Sequence, residues 1–417
     1  MNVKRCGSLW HLVLVILFLN LAGSASVAEQ HEKLRVYILA GQSNMVGMAK
    51  TDTLGYIADD PATAGMLQDM LNPDGTPRTV ENVWISNYQS NVLNDPDGEA
   101  FGPLTAGYGG RSNPAELGQN IGPEFSFGIY IQKLVNAPVL IIKTAWGGKS
   151  LYMDFRPPSA GTFDLSEADV QRITERGGDL DAERSKRAEG SGVYYRLMMN
   201  HVRNVLNDIA RVYPGYDEQQ GYELCGFVWF QGWNDMVNSG VYPHRGQPGG
   251  YDEYSRLLTL FIRDVRKDLG VPKLPFVIGV MGVNGPIENV SERYRAVHGS
   301  FREAMAAPAV LDEFKGNVAA VRTAPFWDMK LDALIQKRDA YNDRVKQLKN
   351  QEQKGEITAD TLAAELKDIE SEALSQEEAE TLKRGASNAA YHYLGCGKTM
   401  ALIGKAFAEA VFELQEN

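Results

Sequence analysis

Cysteine is scarce, and its scarcity excludes a good deal. Three occur in 417 residues. Cys6 sits in an N-terminal leader, so Cys225 and Cys396 remain, too few for a disulfide scaffold. They can form one bridge or stand as two small buried thiols, and the latter is expected. No Cys/His spacing suits zinc, and no Asp-rich loop suits calcium. Positive charge is also short: 42 Lys and Arg against 53 Asp and Glu leave a formal net charge of −11. Without a basic patch, this balance argues against nucleic acid or an anionic membrane surface as partner. The apolar run from Leu12 to Leu21 is too short for a comfortable membrane span.

What that run does fit is a secretory signal peptide over residues 1–28. Lys4 and Arg5 precede it, and small residues including Ser26 and Ala28 follow. Ser24 stands where a lipoprotein signal would need cysteine. The mature chain, residues 29–417, is therefore expected to be exported, either periplasmic or secreted, with no stable membrane anchor. It is two charges more negative once Lys4 and Arg5 are gone.

Five short apolar runs alternate with amphipathic stretches. They are Arg35–Leu39, Pro138–Ile142, Gly226–Phe230, Pro275–Gly279 and Asn317–Val321. Near-continuous apolarity fits parallel strands buried on both faces. Helical periodicity lies between and after them, at Phe125–Leu134, Tyr194–Val212, Tyr254–Leu269 and Lys398–Leu414. The alternation predicts a three-layer α/β/α, doubly wound domain on a parallel sheet. Two segments stand outside it. Residues 155–192 are rich in Gly, Pro and charge and read as a loop insertion. Residues 329–384 repeat apolar positions at helical spacing on both sides of Lys354-Gly355, which predicts a helical hairpin insertion. Its stripe packs on its own partner helix or makes a homo-oligomer contact.

Chemistry-bearing residues cluster just after the strands. Val36–Ala40 leads into Gly41-Gln-Ser-Asn-Met45, placing Ser43 on the turn leaving a strand. In open α/β folds that edge is where sites are built, although serine is equally the favoured N-cap of a plain turn. After the second strand comes Ala145-Trp-Gly-Gly148. Its paired glycines can offer backbone N–H groups to an oxyanion or simply make a tight turn. After the third comes Gln231-Gly-Trp-Asn-Asp235, where Asn234 can donate a side-chain amide or form an Asx turn. Near the C-terminus, Tyr391-His-Tyr-Leu-Gly395 places His392 just before the last helix. Imidazole titrates near neutrality and suits a base that takes the serine proton.

Taken together, Gly41–Met45, Ala145–Gly148, Gly232–Asp235 and His392 resemble the four blocks of the SGNH (GDSL-like) hydrolases. Within them, the resemblance is to the sialate O-acetylesterase domain family of carbohydrate acetylesterases, in the family's order. Gly122-Pro-Glu124 resembles that family too, Glu124 being expected in a capping or core hydrogen bond. The resemblance implies a flavodoxin-like fold with Ser43 as nucleophile and His392 as general base. It also implies an oxyanion hole from Gly147 or Gly148 with Asn234, and acetyl esters on sugars, of sialic acid or of polysaccharides such as xylan, as substrates. Gln42, Asn44, Trp146, Gln231 and Trp233 are the expected substrate-binding neighbours, with Tyr152 as a further aromatic. No cofactor is needed, and none has a motif here.

One position departs from the pattern. The superfamily usually has Asp three residues before the histidine, and here that residue is Ala389, beside Ser387, Asn388 and Ala390. Asp328, in Pro325-Phe-Trp-Asp328, can orient His392 across the base of the hairpin, or can cap the Met329 helix. A backbone carbonyl can hold the imidazole instead, or the chain can be a catalytically impaired carbohydrate-binding protein. An esterase for lipid or thioester substrates is a further reading.

Overall fold

The computed structural model describes Met1 and residues 33–416. The chain divides into residues 1–32 and 33–417, so the expected leader lies outside the described residues. Seven strands form the main sheet. They are β1 (Leu34–Gly41), β2 (Val83–Tyr88), β3 (Glu99–Pro103), β4 (Val139–Ala145), β5 (Tyr222–Phe230), β6 (Phe276–Val280) and β7 (Val318–Arg322). The principal helices are α1 (Pro123–Val135), α2 (Glu167–Glu175), α3 (Leu180–Gly190), α4 (Val193–Asn207), α5 (Asp252–Leu269), α6 (Glu292–Ala306), α7 (Met329–Gln353), α8 (Ala359–Asp368), α9 (Gln376–Gly385) and α10 (Gly397–Glu416).

The order across the sheet is β3-β2-β4-β1-β5-β6-β7. Every neighbouring pair is parallel except β2 with β3. The five strands expected from apolarity are β1, β4, β5, β6 and β7. Numbered along the chain, they lie in the order 2-1-3-4-5, the doubly wound flavodoxin-like arrangement. Its switch point falls between β1 and β5, where ligands bind in such folds.

Both faces of the sheet are covered, which is why its strands read as unbroken apolar runs. On β5, Phe230 packs on Phe407 of α10, while Phe227 and Trp229 meet Phe261 of α5. Alternate residues thus point to opposite helical layers. Tyr37 of β1 meets Phe127 of α1 edge-on at 5.5 Å, and Phe227 stacks on Phe276 at 4.9 Å. Such pairs add about 0.5–1.5 kcal/mol each beyond the burial of their area.

Three expectations need correction. Strands β2 and β3 extend the sheet beyond the five. Residues 155–192 are not loop throughout but carry α2 and α3, neither of which buries a residue. Ser166 caps α2 in a reciprocal box with Asp169, and Arg187 of α3 reaches Asp169 at 3.0 Å. Caps and ion pairs, not an apolar stripe, hold these helices. The 329–384 insertion turns at Lys354-Gly355 as expected, but its second arm breaks into α8 and α9. Leu331, Leu334, Leu348, Ile369 and Leu382 are its buried residues from the predicted stripe. Cys225 and Cys396 are buried free thiols. Among the described residues, no helix is long and apolar enough to cross a membrane, and no group of three or more His, Cys, Asp or Glu could hold a metal.

Candidate active site

Ser43 opens a four-residue helix directly after β1. The chain can turn there because position 41 is glycine: a Cβ on Gly41 would lie 2.1 Å from the Phe230 carbonyl oxygen of β5. The Ser43 side chain is 8% exposed, and its hydroxyl bonds to no described residue. The Ser43, Gly147 and Gly148 N–H groups also donate to no described residue, and Gly147 and Gly148 are exposed on the turn after β4. Three backbone donors are therefore unspent at the carboxyl edge of the sheet.

Gln42 ties the first block to the third. Its Oε1 accepts from the Gly232 N–H at 2.9 Å and from Gln231 Nε2 at 3.2 Å. Its Nε2 donates to Asn234 Oδ1 at 2.9 Å. That last bond fixes the Asn234 amide so that Nδ2, its donor end, remains unspent. Gln231 in turn donates to Asp235 at 2.6 Å and to the Lys149 carbonyl at 3.0 Å. Fully buried Asp235 accepts from the Leu151 and Tyr152 N–H groups and from the Tyr242 hydroxyl. Burial pushes its carboxyl up to about 6 against these bonds. The third block thus braces the chain just beyond Gly147-Gly148.

These contacts revise several expected roles. Gln42, Asn44, Trp146 and Gln231 are buried and bonded to protein, which makes them supports for the donors. Trp146 donates to the Ser90 carbonyl at 2.9 Å. Trp233 is half-buried, its ring 5.7 Å from Tyr391, which is 45% exposed. Hollows of about 350 and 390 Å³ are open beside the glycine turn. Gly147, Trp146 and Lys149 line the first, and Gly148, Tyr152, Asn234 and Asn238 the second.

Beneath the site lies an ion pair absent from the sequence reading. Lys143 of β4 and Glu124 of α1 meet at 2.7 Å with both side chains fully buried. Lys143 Nζ also donates to the carbonyls of Val46 and Tyr108, at 2.9 and 3.0 Å, so all three of its protons are placed. Glu124 accepts the Gly122 N–H as well. Burial pulls Lys143 down to about 8 although Glu124 opposes it, so the ammonium persists at neutral pH. The Val46 contact fixes the end of the Ser43 helix.

His392 lies on a strap, residues 386–395, that packs against the Ser43 helix. Asn44 Nδ2 donates to the Tyr391 carbonyl at 3.1 Å and joins the two. The imidazole Nδ1 is 2.9 Å from Asn388 Oδ1, and burial lowers the pKa of the ring. Nε2 bonds to no described residue, Ser43 included; nucleophile–base contacts are often loose before substrate binds. Asp328 is not the partner of His392. It caps α7 through the Leu331 N–H at 2.9 Å and pairs with Lys398 at 2.6 Å. The capping alternative is the one the geometry favours.

The strap holds its shape through three successive left-handed residues, Tyr393, Leu394 and Gly395. The first two carry a steric cost of roughly 1–2 kcal/mol each. The Tyr393 hydroxyl accepts from the Gly282 N–H at 2.7 Å, and the Leu394 carbonyl accepts from the Ser387 and Asn388 N–H groups. At Gly395 a Cβ would come within 2.6 Å of the Asn388 backbone nitrogen. Gly395→Ala should therefore lower stability by roughly 1–3 kcal/mol and lower kcat with it. Urea unfolding alongside turnover checks both, and a variant of native stability and activity would show the strap to be tolerant.

A second Ser–His contact, Ser86 Oγ to His201 Nε2 at 2.7 Å, is not a site. Ser86 donates to Glu99 at 2.6 Å, so His201 must present its proton to the serine, the reverse of a base. Both side chains are buried, and burial pulls His201 down to about 4.

A model of the family described as carbohydrate esterase, sialic acid-specific acetylesterase, matches residues 33–311, a stretch that ends before the helical insertion and His392. Among solved structures the chain is similar to NanS, at 16% identity over 70% of this chain and 78% of that one, with a TM-score of 0.37. It is also similar to XAC1771, a carbohydrate acetylesterase from Xanthomonas citri, at 14% identity over 69% of this chain and 49% of that one, TM-score 0.34. A protein from Arabidopsis thaliana matches at 16% over 70% and 86%, TM-score 0.33. No curated protein matches. With the family model spanning well over half of its residues, the chain belongs to the sialic acid-specific acetylesterase family of carbohydrate esterases.

Proposed function

We propose that this protein is an exported serine esterase that removes O-acetyl groups from carbohydrate through an acetyl-enzyme. Ser43 Oγ attacks the acetyl carbonyl while His392 Nε2 takes its proton. The tetrahedral oxyanion is held by the Ser43 N–H, the Gly147 or Gly148 N–H and Asn234 Nδ2. Collapse expels the sugar alkoxide, which takes the proton back from His392. Water, deprotonated by His392, then adds to the acetyl carbon and releases acetate and free Ser43. The observation that carries this reading is the set of unspent donors on three separate strand-end turns, the first and third tied by Gln42 and the glycine turn held to the third by Gln231 and Asp235, beside a serine hydroxyl that bonds to no described residue.

Acetate release from acetylated sugars and labelling by a fluorophosphonate, read by mass spectrometry, test it together. Turnover with the label on the Ser43 peptide is expected. Tight glycan binding with neither turnover nor label would favour the carbohydrate-binding alternative. Labelling with turnover confined to fatty acyl or thioester substrates would overturn the sugar assignment and keep the serine.

A further inference from the structure

We propose that Asn388 does for His392 what a carboxylate does in a Ser–His–Asp triad, its amide oxygen holding the imidazole in the tautomer that leaves Nε2 free to accept the serine proton. The proposal rests on the reading of His392 as the base.

The tautomer follows from hydrogen bonds. Asn388 Oδ1 accepts the Ala389 N–H at 2.8 Å. Only the oxygen end of an amide can do so, which settles the orientation of the Asn388 side chain. The same atom is 2.9 Å from His392 Nδ1, so Nδ1 carries the proton and Nε2 the lone pair. In a Ser–His–Asp site the acid fixes this tautomer and also stabilises the imidazolium by its charge. An amide supplies the first service and only a dipole for the second.

The partner is rigidly presented. Ser387 Oγ accepts the Lys50 N–H at 3.0 Å and donates to the Gly395 carbonyl at 2.7 Å. The Ser387 and Asn388 N–H groups both reach the Leu394 carbonyl. Asn388 therefore sits across the base of the left-handed turn whose other limb carries His392. Ser43–Val46 and Ala49–Lys50 pack on the strap, Trp233 meets Tyr391, Phe230, Gly282, Thr323 and Trp327 meet Tyr393, and the helical insertion lines a hollow with Asn388–Ala390. The ionised side chains they contribute are Lys50, which meets the strap through its backbone N–H, and Asp332, Arg338, Asp339 and Lys383, which line the hollow shared with Asn388. On the strap itself the ring's titratable neighbour is Tyr391, 4.4 Å away. Among the described residues no carboxylate is bonded to the imidazole; burial is the cause of its lowered pKa. A base with no counter-charge stays neutral further into acid, so the site keeps its lone pair at a pH where an Asp-paired histidine is protonated.

The test is to titrate the His392 imidazole by NMR in wild type, Asn388→Asp and Asn388→Ala, and to measure kcat/KM for ethyl acetate against pH on the same proteins. Asn388 is exposed, so all three should unfold at similar denaturant concentrations. A carboxylate beside imidazolium favours the charged form, so Asn388→Asp should raise the imidazole pKa by about one unit or more. The acid limb of kcat/KM should rise with it. Asn388→Ala should lower kcat by roughly tenfold or more, a part of what a positioned general base contributes, with KM little changed, and Asn388→Asp should restore it above the new limb. An Asn388→Ala enzyme with wild-type kcat, or an imidazole titration unmoved by Asn388→Asp, would overturn the proposal. If wild type hydrolyses no ester while the imidazole shifts as expected, the functional reading fails and the Asn388–His392 pairing stands.

Discussion

Ser43→Ala lowers kcat for acetyl-ester hydrolysis by roughly 10⁴-fold or more, and His392→Ala does much the same, the double variant being scarcely worse than either. Non-additivity is the informative part. If the hydroxyl attacks only as His392 removes its proton, losing one disables the other. The oxyanion donors remain in all three variants, because they are backbone N–H groups and an amide held by Gln42. A residual rate above the uncatalysed reaction is therefore expected. Ser43 Oγ bonds to no described residue, so Ser43→Ala should leave the unfolding midpoint unchanged and separate chemistry from folding. Additive losses, or a Ser43→Ala enzyme of full activity, would remove the nucleophile assignment.

Lys143→Met is expected to destabilise the fold by about 3–5 kcal/mol, the cost of leaving a buried carboxylate without its counter-charge. Glu124 is fully buried and pairs directly with Lys143, the Arg111 guanidinium being a further positive charge nearby. The Val46 carbonyl loses its side-chain donor in the same step, and the Tyr108 carbonyl loses one donor but keeps Asn87 and Arg111. Adding Glu124→Gln should recover a good part of the loss, since the amide oxygen can still accept the Gly122 N–H without a charge. Urea unfolding of the single and double variants forms the cycle. A single variant within 1 kcal/mol of wild type would mean that Glu124 finds a proton or water easily, and that the pair is not what holds the Ser43 helix.

The sheet and the carboxyl ends that bear the site were legible because β1, β4, β5 and β6 are buried and show it as apolarity, and the terminal strand β7 stays apolar although half-buried. The opposite edge was not. β2 carries Ser86 and Asn87, buried polar residues that meet Glu99, His201 and the Tyr108 carbonyl and break the run. β3 is an edge strand ending in Gly102-Pro103. Helices α2 and α3 lack an apolar face, and Ser166 three residues before Asp169 was the available cue. At the site, three of the four blocks on which the family resemblance rests lie at strand ends and His392 on the strap before α10, but several expected substrate contacts proved to be internal braces. Pattern marks such residues without telling whether they face a ligand or each other. The partners weighed for His392 were Asp328 and a backbone carbonyl; Asn388 was in view beside Ala389, but a side-chain amide able to fix a tautomer was not among them.

Both ends of the helical insertion are stapled to the main domain. Asp328 joins Lys398 where it leaves, and a two-pronged contact from Arg384 to Asp59 secures its return. Its far tip, Lys354-Gly355, is solvent-facing. Lengthening a loop costs little once its ends are fixed, and exposed tips tolerate added sequence. The tip is thus a natural splice point, where a whole foreign domain could ride on the enzyme mid-chain while the histidine strap beyond α9 keeps its register.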